Sequence, residues 1–372
     1  VPNRVWSHRV PGITWPRSAR AGLFALIAPK LIARHHCDVV MSFDRILGQD
    51  IFRSGEGPRR LLLEKLKRHS GVLRKIWYAT SLYHHLLVYI EKLQVGANRN
   101  GKIIAVCNQT KRDFVECYGI PEERIVVIHN GVDAERFDPR RRLHEGKRLR
   151  EALKIPADTP VVLFVGTGFL RKGLHRLLDL WERRDIPGAH LLIVGNDSKL
   201  AQYRRQWGGR SDVTFAGQQE KVEDYYACAD LLVLPAIQEA FGNVVLEALS
   251  SGLPVVTVNG VGAMDLANGE LSEGILSRPD DPLELKSKIL QMLERDRWAA
   301  FSRAARQTAE RYSWENYLDR TEQTLFECCR KTAAAPAESH AVMNVGPSGP
   351  LVLAVPGEFQ SAADREAESR AS

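Results

Sequence analysis

The 372 residues include only six cysteines, with no C-x-x-C, and the one close pair, Cys328 and Cys329, is adjacent. That usage gives neither the ligand spacing of a zinc site nor a disulfide framework, and it fits a reducing cytoplasm. No apolar run approaches the ~20 residues that cross a bilayer, and no basic n-region with an apolar h-region marks a signal peptide. The chain is therefore expected to be soluble or to lie on a membrane surface. Repeats of the length used by solenoids are missing. No strand-like run is followed by G-x-G-x-x-G with an acidic residue beyond it, which sets aside a Rossmann dehydrogenase.

What is present begins with charge. The net charge of +7 is uneven: 28 Lys and Arg against 14 Asp and Glu in residues 1–150 leave +14 there and −7 over the rest. Much of the excess lies between Arg53 and Trp77, where Arg59, Arg60, Lys65, Lys67, Arg68, Arg74 and Lys75 are interleaved with leucines, Val72, Ile76 and Trp77. One reading is a solvated helix packing its apolar stripe on its own domain. The other is a patch on anionic lipid headgroups, with Trp77 and Tyr78 at the interface. No nucleic-acid-binding fold surrounds the basic residues, so nucleic acid is not an expected partner.

Short apolar runs alternate with helical patterns: CDVVMSF, KIIAVC, RIVVIHNGVD, PVVLFVG, AHLLIVG, DVTFAG, DLLVLPA and LPVVTV. Runs this apolar are strands buried on both faces, as in parallel sheets covered by helices, and the alternation predicts an α/β protein of two doubly wound, Rossmann-like units. The charged, proline-bearing stretch 133–160 separates them, which places a ligand in the cleft between two domains, at strand carboxyl ends. From about residue 333 the sequence turns to Ala, Ser, Gly and Pro without periodicity, so 333–372 is expected to be a disordered tail.

Four stretches end strands of the second half. VGTGFLRKG sets two glycines, Gly166 and Gly168, before Arg171 and Lys172 at a helix start, which suits a diphosphate. VGND and AGQQE, with Gln218, follow. In QEAFGNVVLEA, Gly242 and Asn243 open a helix whose free N–H groups and dipole favour an anion. Glu239 stands in the turn before it and Glu247 about one turn inside, both placed to accept from ligand hydroxyls. Singly, an Arg-Lys pair or a Glu-x7-Glu spacing arises often in helices without function. In order, each at a strand end, they describe a site for a phosphate flanked by polyols.

These elements, with NGVD (130–133) and RYSWENY (311–317), resemble the donor domain and domain crossings of the family 4 retaining glycosyltransferases of the GT-B fold. Within that family, GQDIF, GFLRKGLHR and QEAFGNVVLEA are most similar to the lipopolysaccharide core glucosyltransferase I group. The resemblance implies an acceptor-binding domain over 1–140, a donor-binding domain over 155–311 and a return helix over about 312–330. It implies that Arg171 and Lys172 stabilise the leaving diphosphate, that Glu239 holds the donor sugar and that Glu247 binds the ribose. The backbone of Phe241, Gly242, Asn243, Val244 and Val245 would bind sugar and phosphate, and Gln218 would lie near the base. No D-x-D occurs, so a metal clamp is not required and no cofactor is expected. Asp50 and Glu56 are candidate acceptor residues, with simple charge balance against Arg53 and Arg59 as the alternative for Glu56. The implied activity is transfer of a hexose, UDP-glucose being the first candidate donor, to a lipid-linked saccharide such as the lipopolysaccharide core, on the inner face of the cytoplasmic membrane. Mannosyl or heptosyl transfer, and a silent membrane-associated nucleotide-sugar-binding module, remain alternatives. Family members open with a strand, a glycine loop and a helix that have no counterpart before VPNRVWSHRV, so the first domain is expected to be incomplete at its N-terminus, with an exposed sheet edge.

Overall fold

The computed structural model describes residues 5–8, 10–11, 15–35, 37–68, 71–97, 101–237, 239–278, 280–332, 342–345 and 351–354. The first domain runs β1 (Val5–His8), α1 (Arg17–Ile32), β2 (Val39–Ser42), β3 (Ile51–Ser54), α2 (Arg59–Arg68), α3 (Val72–Thr80), α4 (Leu82–Ala97), β4 (Lys102–Ala105), α5 (Asn108–Tyr118) and β5 (Ile125–Val127). A short helix, α6 (Glu145–Ala152), leads into the second: β6 (Val161–Val165), α7 (Leu174–Glu182), β7 (His190–Val194), α8 (Leu200–Trp207), β8 (Val213–Gly217), α9 (Val222–Cys228), β9 (Leu231–Leu234), α10 (Asn243–Ser250), β10 (Val255–Val258), β11 (Ile275–Leu276), α11 (Pro282–Met292) and α12 (Arg295–Ala309). Helix α13 (Trp314–Thr332) returns to the first domain, followed by β12 (Val342–Val345) and β13 (Leu351–Ala354).

The second sheet is parallel with order β11-β10-β9-β6-β7-β8. Every residue of β6, β7, β9 and β10 is buried, which is why those runs carry no polar alternation. Leu163, Phe164, Leu192, Val233 and Val256 are among the residues of one continuous core, and each such side chain contributes about 1.5–3 kcal/mol on burial. The order reverses direction between β6 and β9. At such a switch point the loops leaving the two strands diverge to opposite faces and open a crevice at the strand carboxyl ends.

The first sheet has the order β1-β13-β12-β2-β3-β4-β5, parallel from β12 to β5. Its strand β3 is missing from the eight apolar runs of the sequence, because IFRS is four residues long and carries Arg53. The edge of β2, expected to be exposed, is instead paired with β12 from Val39 to Ser42. Residues 342–345 and 351–354 of the expected tail are thus strands, built from the β-prone runs VMNV and LVLA; the rest of 333–372 lies outside the described residues.

The chain crosses between the domains twice, side by side: Val132 bridges Ser313, and the N–H of Val132 donates to the Tyr312 carbonyl at 2.9 Å. Tyr317, Leu325 and Cys328 of α13 pack against Val39, Met41 and Ile104 of the first sheet.

Candidate active site

The two loops at the switch point are Gly166–Gly173 after β6 and Pro235–Gly242 after β9. They are laced together. The Ile237 N–H donates to the Arg171 carbonyl at 2.9 Å, and Nη1 of Arg176 donates to the Pro235 carbonyl at 2.7 Å. Gly173, the N-cap of α7, has φ 81, and a Cβ there would sit 1.9 Å from the Pro235 oxygen. Only glycine allows both the left-handed turn and this approach, which explains the residue that follows Arg171-Lys172.

The lacing puts Lys172 Nζ against Glu239 Oε2 in an ion pair whose side chains are only 10% and 14% exposed. Each member of the pair lines a cavity. One, of about 360 Å³, is lined by Gly166, Thr167, Arg171, Lys172, Gln218 and Val244, all of the second domain. The other, of about 110 Å³, lies between the domains and is lined by Glu56, Lys65, Gln109 and Asp113 on one side and Glu239 and Asn259 on the other. A charged centre between a second-domain cavity and an interdomain cavity is where a group could pass from one ligand to another.

Helix α10 starts beside the pair, with Gly242 in the left-handed region as its N-cap. Asn243 and Val244 hold the first N–H groups, which have no partner inside the helix. Val245 has its N–H on the Gly242 carbonyl at 2.8 Å and a fully buried side chain, so it contributes packing and not a donor. Phe241 is buried too, its ring 6.2 Å from that of His129 and 5.9 Å from that of Tyr312. Gly168 gives its N–H to the Asn196 carbonyl at 3.1 Å.

Glu247 is half-buried on α10. Its Oε2 accepts from the Tyr226 hydroxyl at 2.7 Å. Burial raises its pKa above the ordinary carboxylate value, against the opposing effect of that hydrogen bond and of Arg136; burial likewise pushes the Tyr226 phenol well up, with the neighbouring carboxylate adding to it.

In the first domain the two acceptor candidates separate. Glu56 lines the interdomain cavity, its side chain 72% exposed and 4.0 Å from Arg59. Asp50 does not face the cleft. It precedes β3, at the end of the sheet away from the strand carboxyl ends, and its carboxylate accepts from the Val40 N–H at 2.8 Å. The basic segment also divides. Arg59 turns inward, 16% exposed, with Nη2 at 3.1 Å from His84 Nδ1, and Lys65 lines the interdomain cavity. The exposed apolar surface of this segment is on α3, not on the basic helix: Val72 is 73%, Leu73 86% and Trp77 55% exposed, with Arg60 and Arg68 exposed nearby.

Sequence reasoning gave no role to His129 and Asp265, whose Nε2 and Oδ2 lie 3.0 Å apart. Asp265 also accepts the Asn108 N–H that begins α5, at 2.7 Å. The pair links the domains, and only the motif NGVD beside His129 hinted at it.

Comparison with known proteins follows the same division. The family model described as Glycosyl transferases group 1 matches residues 146–311, and that described as Glycosyltransferase Family 4 matches residues 2–136. The chain is 26% identical over 291 residues to the lipopolysaccharide glucosyltransferase WaaG of Escherichia coli, spanning 76% of each. Among solved structures it is similar to WaaG, a glycosyltransferase involved in lipopolysaccharide biosynthesis, with a TM-score of 0.70 and 23% identity over 85% of each chain. HepE of Anabaena in complex with UDP-glucose gives a TM-score of 0.61 at 20% identity, over 84% of this chain and 77% of that one. The chain spans between 40% and 76% of the length of these and other curated relatives it matches.

Proposed function

The chain belongs to the family 4 glycosyltransferases of the GT-B fold, and from that premise we propose that it transfers a hexose from UDP-glucose to a hydroxyl of a lipid-linked saccharide, with retention at the anomeric carbon. The observation that carries the reading is the Lys172–Glu239 pair at the switch point, between a cavity in the donor domain and one shared by both domains. In this reading the nucleotide occupies the larger cavity, with Gln218 near the base and Glu247 toward the ribose. The diphosphate meets Arg171, Lys172 and the start of α10, and takes over from Glu239 as partner of Lys172. Glu239, released, accepts from the hexose hydroxyls.

The bond from the anomeric carbon to the diphosphate oxygen breaks as the acceptor oxygen bonds to the same carbon. The acceptor proton passes to the departing phosphate oxygen. Charge develops on that oxygen in the transition state, and the two fixed cations and the helix dipole stabilise it there. They take the part that a divalent ion plays elsewhere, so transfer should proceed equally in EDTA. UDP-glucose as the donor is supported by the HepE complex, and a lipopolysaccharide-type acceptor by the similarity to WaaG. The assay is transfer of labelled hexose from UDP-glucose, ADP-sugars and GDP-sugars to lipid-extractable product. Label from UDP-glucose is the expected result; label from none of the donors leaves a binding module and removes the enzyme.

A lipid-linked acceptor requires the cleft to reach a membrane. Helix α3 supplies an exposed apolar face, Val72, Leu73, Ile76 and Trp77, beside the basic residues of α2, a composition suited to anionic headgroups. No helix among the described residues is long and apolar enough to cross a bilayer. Sedimentation with phosphatidylglycerol vesicles should fall several-fold in Leu73→Ser/Ile76→Ser/Trp77→Ser and fall again in Arg60→Glu/Arg68→Glu. Unchanged sedimentation in both returns α3 to an ordinary surface helix.

A further inference from the structure

A second set of side chains joins the domains beside the candidate site, outside the chemistry above. Arg53 stands in β3 of the first domain, its guanidinium 5.2 Å from the Phe43 ring centroid and 5.7 Å from that of Tyr317 on α13. Its Nη2 donates to Oδ1 of Asn130 at 2.5 Å, and its Nε is buried with no hydrogen-bond partner. Asn130, in the crossing between domains, donates from Nδ2 to Oδ1 of Asn243 at 2.7 Å. Asn243 is exposed and is the first residue of α10.

The polarity of this chain follows from its first member. A guanidinium has donors only. Asn130 must therefore turn its oxygen to Arg53, which leaves its NH2 for Asn243. Asn243 must answer with its own oxygen, so its NH2 becomes the outer end of the chain. An amide is otherwise free to present either atom; here the choice is made two residues away, in the other domain.

We propose that Arg53 and Asn130 are positioning residues that hold Asn243 with a hydrogen-bond donor, and not an acceptor, at the start of α10 where the donor diphosphate binds. The inference rests on the reading of that site given above and adds to it a contribution from the first domain. A carbonyl oxygen at that point would repel phosphate; an NH2 adds a charge-assisted hydrogen bond to those of the helix N–H groups. Binding of the nucleotide to the second domain thereby depends on a side chain of the first.

Calorimetric titration of UDP into the full chain tests this with Asn130→Asp, Asn243→Ala and the two combined. In Asn130→Asp one carboxylate oxygen takes Arg53 and the other faces Asn243, which must rotate its NH2 inward and its oxygen outward. Asn130→Asp and Asn243→Ala should each weaken UDP binding by about tenfold or more, the size of one hydrogen bond to a charged group. The double variant should bind no more weakly than Asn243→Ala, because the new carboxylate acts only through the missing amide. Arg53→Lys, which keeps a donor, should bind UDP more tightly than Arg53→Met. If Asn130→Asp binds UDP as the wild type does, or keeps its full effect in the Asn243→Ala background as simple charge repulsion would, the proposal is overturned. If the wild type binds none of UDP, ADP and GDP, the donor site itself is misread and the proposal falls with it.

Discussion

Replacing Lys172 with alanine should lower the transfer rate by roughly 10²–10³, the usual loss when one fixed donor or cation to a developing anion is removed. The same change leaves Glu239 largely buried with no counter-charge, and breaking a buried ion pair from one side costs about 3–5 kcal/mol. Activity loss in the single variant therefore mixes chemistry with stability. The pair substitution Lys172→Met/Glu239→Gln separates them. It removes both charges and keeps the volumes similar, so thermal unfolding should recover most of the way to wild type. Transfer should not recover, because the leaving diphosphate has lost its cation and the hexose its carboxylate. Steady-state transfer and the unfolding midpoint measured on the same preparations decide the matter. A pair variant that turns over at the wild-type rate would reduce Lys172 and Glu239 to a structural clasp.

Gly173→Ala should cost about 3 kcal/mol or more and abolish transfer, by a different route. The substitution places an L side chain at φ 81 and drives its Cβ to 1.9 Å from the Pro235 oxygen, a backbone atom that cannot step aside. The two switch-point loops must then part, and with them Lys172 and Glu239. Gly168→Ala is the natural comparison: φ is 77 there, yet nothing lies within 4 Å of the added methyl, so only the conformational cost of roughly 1–2 kcal/mol remains. Chemical denaturation of both variants gives the difference. Equal losses would mean that the loop contact carries no stability and that glycine is needed at 173 for the turn alone.

Much of the second domain could be read from its residues, because a strand buried on both faces declares itself as an uninterrupted apolar run. The runs at 160–166, 189–195, 212–217 and 230–236 are all strands, and the motifs between them fall at strand ends, where a parallel sheet places its ligand. The pairing of Lys172 with Glu239 was not legible. The two are 67 residues apart, and only the order of strands, with β6 beside β9, makes them neighbours. Asp50 shows the opposite failure. An acid near a strand looks the same at either end in sequence, and this one serves the end away from the cleft. Glu247 was placed on the right helix but not with its hydroxyl partner, since Tyr226 reads only as a core aromatic of α9. In the first domain β3 escaped notice for a related reason: Arg53, which breaks its apolar pattern, reaches Asn130 and Tyr317 at the domain junction.

A nucleoside diphosphate bound at the switch point of the second sheet should displace Glu239 from Lys172. Determining the structure of the full chain with UDP tests it most directly. Pyrophosphate oxygens should lie within hydrogen-bond reach of Lys172 Nζ, the Arg171 guanidinium and the first N–H groups of α10, with Glu239 turned toward the cleft between the domains. UDP seated elsewhere, or bound with the Lys172–Glu239 pair still closed, would contradict it.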